Sequence, residues 1–295
     1  MRKRKINEAY LYIAPYILLF LIFIIAPIIC AIFLSFTNYN GMGNPKVIGF
    51  INYTSLFTMD TVFLQKVIPN TLKFSLIVGI GGYILSFFVA WMLAQITKKV
   101  RTVMAIVLYT PTLTIGISMA VIWKTFFSGD AHGYLNAFLL NIGLIDAPIA
   151  WLSNGKYLLT IMIVVSLWSS MGIGFLSMMT GILNINPDLY EAAYVDGLKN
   201  RWQEIFYITI PSMKPQMLFG AVMAIVNSFS TSAIGVQLTG ANPTPQNAGQ
   251  LIVNHIEDYG FGRFEMGYAA AISVVLLLIM YGLTRIVYKI LGEKE

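Results

Sequence analysis

"NINPDLYEAAYVDGLKNRWQEIFYITIPS", residues 184–212, sets four carboxylates, a glycine and a run of basic and amide side chains between two long apolar runs. The chain around it is 57% hydrophobic and only 11% charged. If the flanking runs cross a bilayer, this stretch is a surface element whose position orders everything else. Its local chemistry predicts a helix, an elbow and a second helix. Asn186 is placed to cap, Pro187 to occupy the first helical position, and Asp188 and Glu191 to sit where the helix dipole favours negative charge. Gly197 ends that helix, where a left-handed residue is usually needed. Asn200 caps the next, with Gln203 reaching back as in a capping box, and Pro211 and Pro215 mark entry into the following apolar run.

Outward from this interval, apolar runs long enough to cross about 30 Å of hydrocarbon recur near 9–36, 72–97, 103–127, 157–183, 213–238 and 267–288. They lack the period-2 alternation and regular turn signals of a lipid-facing barrel. The sequence therefore predicts an all-α membrane protein of six transmembrane helices, one transmembrane domain over residues 1–295 with 184–212 as its main polar loop. Pro15, Pro27 and Pro111 fall inside spans and read as kinks. The initial "MRKRK" precedes an apolar run too long for a secretory signal and is read as the flank of a retained first span.

The basic residues decide orientation. Arg2 to Lys5, Lys98, Lys99 and Arg101, Lys199, Arg201 and Lys214, then Arg285, Lys289 and Lys294 all fall on one side of a six-span chain. The positive-inside rule puts that side, both termini and residues 184–212 in the cytoplasm of a multi-pass cell-membrane protein. The net charge of +6 is thereby explained by topology. Split among four short loops without an aromatic platform, these charges do not indicate nucleic acid.

Several chemistries are missing. Lone Cys30 offers no disulfide framework, and His132 and His255 lack metal-ligand spacing and read by default as surface histidines. No Asp or Glu lies inside a span, and Lys73 and Lys124 lie only at span ends, which disfavours ion-coupled transport. There is no Walker-type glycine loop and no nucleophile elbow. "GIGGY", residues 79–83, reads as a helix-packing element. Uphill transport by this chain needs energy from a partner.

Residues 191–211, "EAAYVDGLKNRWQEIFYITIP", resemble the EAA motif of binding-protein-dependent ABC importer permeases, with Glu191, Ala192, Ala193, Asp196, Gly197, Ile208 and Pro211 at matching positions. Leu198 stands where the family often has Ala, and Ile210 where it often has Leu. "IAPYILLFLIFIIAPIICAIFLSF" (13–36), "NYTSLF" (52–57), "NTLKFS" (70–75), "GYLN" (133–136) and "GYAAAISVVLLL" (267–278) look like stretches of its carbohydrate branch, the maltose, lactose, raffinose and multiple-sugar type. The resemblance implies a MetI-like type I importer permease fold. It implies that Asp188, Glu191, Ala192, Ala193, Asp196, Gly197 and Pro211 belong to a coupling loop docked on an ATPase.

It further implies a non-enzymatic chain without its own cofactor, ATP-Mg being bound by two partner ATPase subunits, together with a second homologous permease and an extracellular sugar-binding protein. In the fifth run, Met223, Asn227, Ser230, Thr231 and Ile234 share a helical face. Asn227 matches a sugar-contacting position of the family; the alternative is hydrogen bonding to a neighbouring helix. Similar matching places Thr112, Gly116, Trp168 and Ser170 near the pathway, with the interfacial aromatic belt the other reading of Trp168. Residues 239–266, with His255, Tyr259, Phe261 and Phe264, read either as a dock for the external binding protein or as a structured outer loop. Rival readings are a permease for glycerol phosphate or a modified glycan, a channel, and a membrane-embedded enzyme.

Overall fold

The computed structural model describes residues 2–113, 117–231 and 233–292. They form helices α1 Tyr10–Leu34, α2 Ile51–Thr58, α3 Phe63–Ala94, α4 Lys98–Leu113, α5 Ile117–Phe126, α6 Tyr134–Asn141, α7 Gly155–Trp168, α8 Ile173–Leu183 and α9 Pro187–Val195. Then come α10 over 201–212, α11 Lys214–Ser230, α12 Ala233–Thr239, α13 Ile252–Glu257 and α14 Met266–Leu291. No sheet forms among the described residues; Thr37 and Val47 make an isolated antiparallel bridge.

The expectation of six spans is corrected. Among the described residues four helices are long and apolar enough to cross a bilayer: Tyr10–Leu34, Phe63–Ala94, Gly155–Leu183 and Met266–Leu291. The bent pair α11 and α12 makes a fifth if counted as one span. The run expected at 103–127 instead gives helices of 16 and 10 residues, the first opening on Lys98, Lys99 and Arg101. In the fifth run the backbone turns extended at Thr231 (φ −69°, ψ 122°), and the helix axis bends by 44°. Apolar composition marks a stretch as greasy but does not register where its helix breaks.

The chain divides into two compact units. The first comprises residues 1–61 and 255–277. Here the "NYTSLF" stretch acts as a clasp: the Asn52 amide donates to Ser35 O and Thr37 O, both at 2.8 Å, and the Tyr53 hydroxyl donates to Ser35 Oγ at 2.7 Å. Leu56 is fully buried beneath them. Gly267 packs so closely on this clasp that an added Cβ would lie 2.1 Å from Thr37 O. His255 is not a surface residue. It is buried, with Nε2 2.8 Å from Asp60 Oδ2, and the Tyr268 hydroxyl donates to the same oxygen at 3.0 Å. Tyr259 packs between His255 and Tyr268, while Phe261 and Phe264 are exposed.

The second unit, residues 62–254 and 278–295, holds two apolar cores. One gathers Phe87, Ala90, Phe175, Met178, Ile205 and Met213; the other Phe74, Leu158, Met162, Leu238 and Leu251. Helices α3, α8 and α11 approach through small residues. A Cβ on Gly79 would meet Ser228 Oγ at 3.0 Å, one on Gly82 would meet Ser170 Cβ at 3.0 Å, and one on Gly220 would meet Met178 Cε at 2.8 Å. The 79–83 glycines thus serve helix packing.

Asparagines again tie down irregular backbone. In "NTLKFS", the Asn70 amide donates to Asn247 O and Ala248 O, and Thr71 Oγ1 accepts from Ile252 N at 3.0 Å. In "GYLN", fully buried Asn136 donates to Ser128 O, Asp130 O and Ile149 O and accepts from Ile149 N and the Trp151 indole. Truncating it would leave several buried carbonyls unpaired, at a cost of about 1–3 kcal/mol each. Asn136→Ala is expected to lower the Tm of the detergent-solubilised protein by several degrees; an unchanged melting curve would show that water replaces the amide without loss.

Candidate functional site

The polar interval folds as its caps dictate. Asn186 Oδ1 accepts from Asp188 N at 3.2 Å, and Pro187 opens α9. Gly197 takes φ +97°, with Gly197 N donating to Tyr194 O and Leu198 N to Ala193 O, a left-handed stop. Asn200 Oδ1 accepts from Gln203 N at 2.9 Å. Gln203 Oε1 reaches back to Lys199 N at 2.8 Å, one residue before the cap itself, so the box is widened by one position. Asp188, Glu191, Ala192, Asp196, Gly197 and Pro211 are exposed and Ala193 is half-buried.

What holds α9 in place was not evident from the motif. Tyr190 and Tyr194, one helical turn apart, both turn toward α10. The Tyr190 hydroxyl lies 3.2 Å from Thr209 Oγ1, and the Tyr194 hydroxyl donates to Glu204 Oε2 at 3.1 Å. Glu204 is buried and also takes a 2.6 Å ion pair from Arg201. The Glu204 carboxylate, by hydrogen bond and charge, pushes the Arg201 guanidinium further up its already basic range. Burial raises the Tyr190 phenol above its ordinary value, partly offset by the Thr209 hydrogen bond, so it stays protonated and able to donate. Fastened on that side, α9 leaves Leu189 and Val195 exposed, Val195 at 87%.

The second site lies within the membrane-embedded part of the larger unit. A cavity of about 680 Å³ is lined from α3, α4, α5, α7, α8, α11 and α12. It collects Thr112, Trp168, Ser170, Asn227, Ser230 and Thr231, every described residue predicted for the pathway; Gly116 lies outside the described residues. Two helix breaks produce it. Between α7 and α8 the chain leaves the helix at Ser169 and re-enters after Gly172, and between α11 and α12 it breaks at Thr231. Broken helices at membrane depth are tolerated where they line a cavity.

The polar lining is of two kinds. The hydroxyls of Thr112, Ser170 and Thr231 donate to carbonyls of their own helices, at 2.6, 2.7 and 2.7 Å, and keep only acceptor capacity. The Asn227 amide makes no hydrogen bond among the described residues and is exposed to the cavity. Gln237, which the sequence reading missed, presents a second amide one break further on. Trp168 belongs to the cavity wall, packed edge-on against Trp123 at 5.4 Å between ring centres. The Trp123 indole N–H is buried there without a partner among the described residues. Among the described residues no lining side chain carries a charge, and no group of His, Cys, Asp or Glu could hold a metal. The arrangement offers amide donors and acceptors beside aromatic faces, suited to polyhydroxylated, uncharged molecules.

Residues 82–294 match the family model described as the binding-protein-dependent transport system inner membrane component. The probable ABC transporter permease protein YesP of Bacillus subtilis strain 168 is 33% identical over 291 residues, covering 97% of this chain and 91% of that protein. The arabinooligosaccharides transport system permease protein AraP of the same organism is 30% identical, covering 96% and 88%. A chain from the crystal structure of a bacterial alginate ABC transporter, in complex with its alginate pentasaccharide-bound periplasmic protein, superposes with a TM-score of 0.81 at 25% identity, over 97% of this chain and 94% of its own.

The Glu204 junction makes a local prediction. Glu204→Ala removes the acceptor of Tyr194 and Arg201 together and is expected to raise amide hydrogen exchange across residues 188–197 by about tenfold, while Tyr194→Phe, losing one hydrogen bond of about 1 kcal/mol, gives a smaller rise. Exchange in both variants equal to that of the parent protein would mean that α9 is held by something other than this junction.

Proposed function

Because this chain belongs to the family of binding-protein-dependent transport system inner membrane components, we propose that it is the membrane-spanning permease subunit of an ABC importer for a neutral sugar or oligosaccharide handed over by an extracellular solute-binding protein. Permeases of this family are non-catalytic, and ATP is hydrolysed on separate subunits. The observation that carries the cargo assignment is the cavity: two free amides and an aromatic wall, with no charged side chain. One solved relative is a bacterial ABC transporter involved in the import of the acidic polysaccharide alginate. An acidic or phosphorylated cargo here would find no Arg or Lys in the lining, which favours a neutral glycan of the kind named for AraP.

In this proposal the chain pairs with a second, homologous permease and two ATPase subunits that bind ATP-Mg. Its termini and the 184–212 loop face the cytoplasm, as the distribution of Lys and Arg favours. The cap-to-cap helix Pro187–Val195 is the coupling helix. Its outward face, with Leu189 and Val195 rimmed by Asp188, Glu191 and Asp196, enters a cleft of an ATPase. Closure of the ATPases around ATP pushes on α9, and rocking of the two permeases exposes the cavity alternately to each side. Asn227 and Gln237 hold hydroxyls of the sugar, Trp168 offers a face to its ring, and Ser230, Thr231, Thr112 and Ser170 supply acceptors.

Two variants separate the parts of this reading in vesicles containing the complete importer. Asn227→Leu is expected to cut uptake of the cognate sugar by about tenfold or more while binding-protein-independent ATPase activity persists. Glu191→Lys or Gly197→Pro is expected to abolish ATPase-coupled uptake with the chain still in the membrane. Unaltered transport by Asn227→Leu would refute the cavity assignment, and normal coupling in both loop variants would refute the docking assignment.

A further inference from the structure

A second cavity, of about 600 Å³, lies between α4 and α8. It shares Tyr109 with the pathway cavity but differs from it in chemistry. Lys98, Arg101 and Thr102 line it from the first turns of α4; Ile106 and Tyr109 continue along the same helix, and α8 closes the opposite side with apolar side chains only. Neither cation is in an ion pair among the described residues, Arg101 is half-buried, and no carboxylate lines the cavity. Thr102 donates to Lys98 O, which keeps its hydroxyl oxygen available only as an acceptor.

From Lys98 to Tyr109 the groove runs about 16 Å along α4, near half the hydrocarbon thickness of a bilayer. A soluble anion would use the basic end and leave the apolar length empty; an alkane would use the length and leave two unpaired cations. An occupant that matches both ends is anionic at one end and has a hydrocarbon tail about one leaflet deep. We propose that this groove binds an anionic phospholipid, its headgroup phosphate on Lys98 and Arg101 and an acyl chain against Ile106 and the α8 face. The site lies between α4 and α8, and α8 leads through only three residues into α9, so the lipid sits beside the start of the polar loop. The site stands whether or not the cargo is a sugar; only its assignment to the inner leaflet rests on the orientation proposed above.

Native mass spectrometry of the full-length chain, delipidated in mild detergent and titrated with phosphatidylglycerol or phosphatidylcholine, tests this. One tight phosphatidylglycerol is expected, with phosphatidylcholine much weaker. Lys98→Ala with Arg101→Ala is expected to weaken phosphatidylglycerol by roughly fivefold per charge. Ile106→Trp, which keeps both charges but fills the groove from an exposed position, is expected to weaken it as well. Equal binding of the two lipids, or full binding by Ile106→Trp beside loss in the charge variant, would reduce the effect to general surface attraction and overturn the site. Loss of the bound lipid when the chain assembles with its partners would assign the groove to a neighbouring subunit and overturn it equally.

Discussion

In hydrocarbon a backbone N–H or C=O has no water to turn to, and each unpaired one costs several kcal/mol. This chain breaks its helices repeatedly, so the structure depends on side chains that replace the missing backbone partners. Three asparagines carry much of that task. Asn52, Asn70 and Asn136 each donate to two or more carbonyls of the segments that connect the long helices. An amide suits this role because one short side chain offers two donors and an acceptor without charge. That these same asparagines sit in the short stretches which resemble a carbohydrate-importer branch gives the resemblance a physical content: those stretches are the clasps of the fold.

At the breaks that line the cavity hydroxyls take the same part: Ser169 donates to Val165 O, Ser170 to Leu167 O and Thr231 to Asn227 O. On an uninterrupted helix over residues 214–239, Asn227 and Gln237, ten residues apart at 100° each, would point about 80° apart; with extended backbone at Thr231 between them, both line the cavity. Likewise the turn through Ser169–Gly172 places Trp168 and Ser170 side by side at the rim of the same space. Absence of charge in the lining keeps the desolvation cost low and selects for partners that bring hydroxyls rather than ions.

The polar loop was largely legible because its signals are local. Asn186, Pro187, Gly197 and Asn200 act within three or four residues of themselves, and each occupies the position that its chemistry predicts. The all-α character was legible for the same reason. The span count was not, since hydropathy averages over a window and passes through a discontinuity such as the one at Thr231. Glu204 drew no reading from the sequence, since its burial depends on Tyr194, Arg201 and the neighbouring helix, which no spacing rule brings together. His255 was misread in the same way, because Asp60 lies 195 residues away in the chain. Pathway residues were reachable through helical periodicity and resemblance, but Gln237 and Trp123 lie beyond a break or on another helix, where periodicity gives no register.

The two tyrosine contacts of α9 have a mechanical meaning. Pinned at Tyr190 and Tyr194 to α10, and continued through fully buried Met213 into α11, the loop has little slack in which to bend. A load applied to its outer face arrives at the root of α11 as torque on a crank. From Lys214 to Asn227 that shaft is about 20 Å long, and it ends at the Thr231 joint. Motion entering through α9 would therefore reach, with its phase kept, the amide that faces the cavity, and the joint beyond it would spare α12 from following.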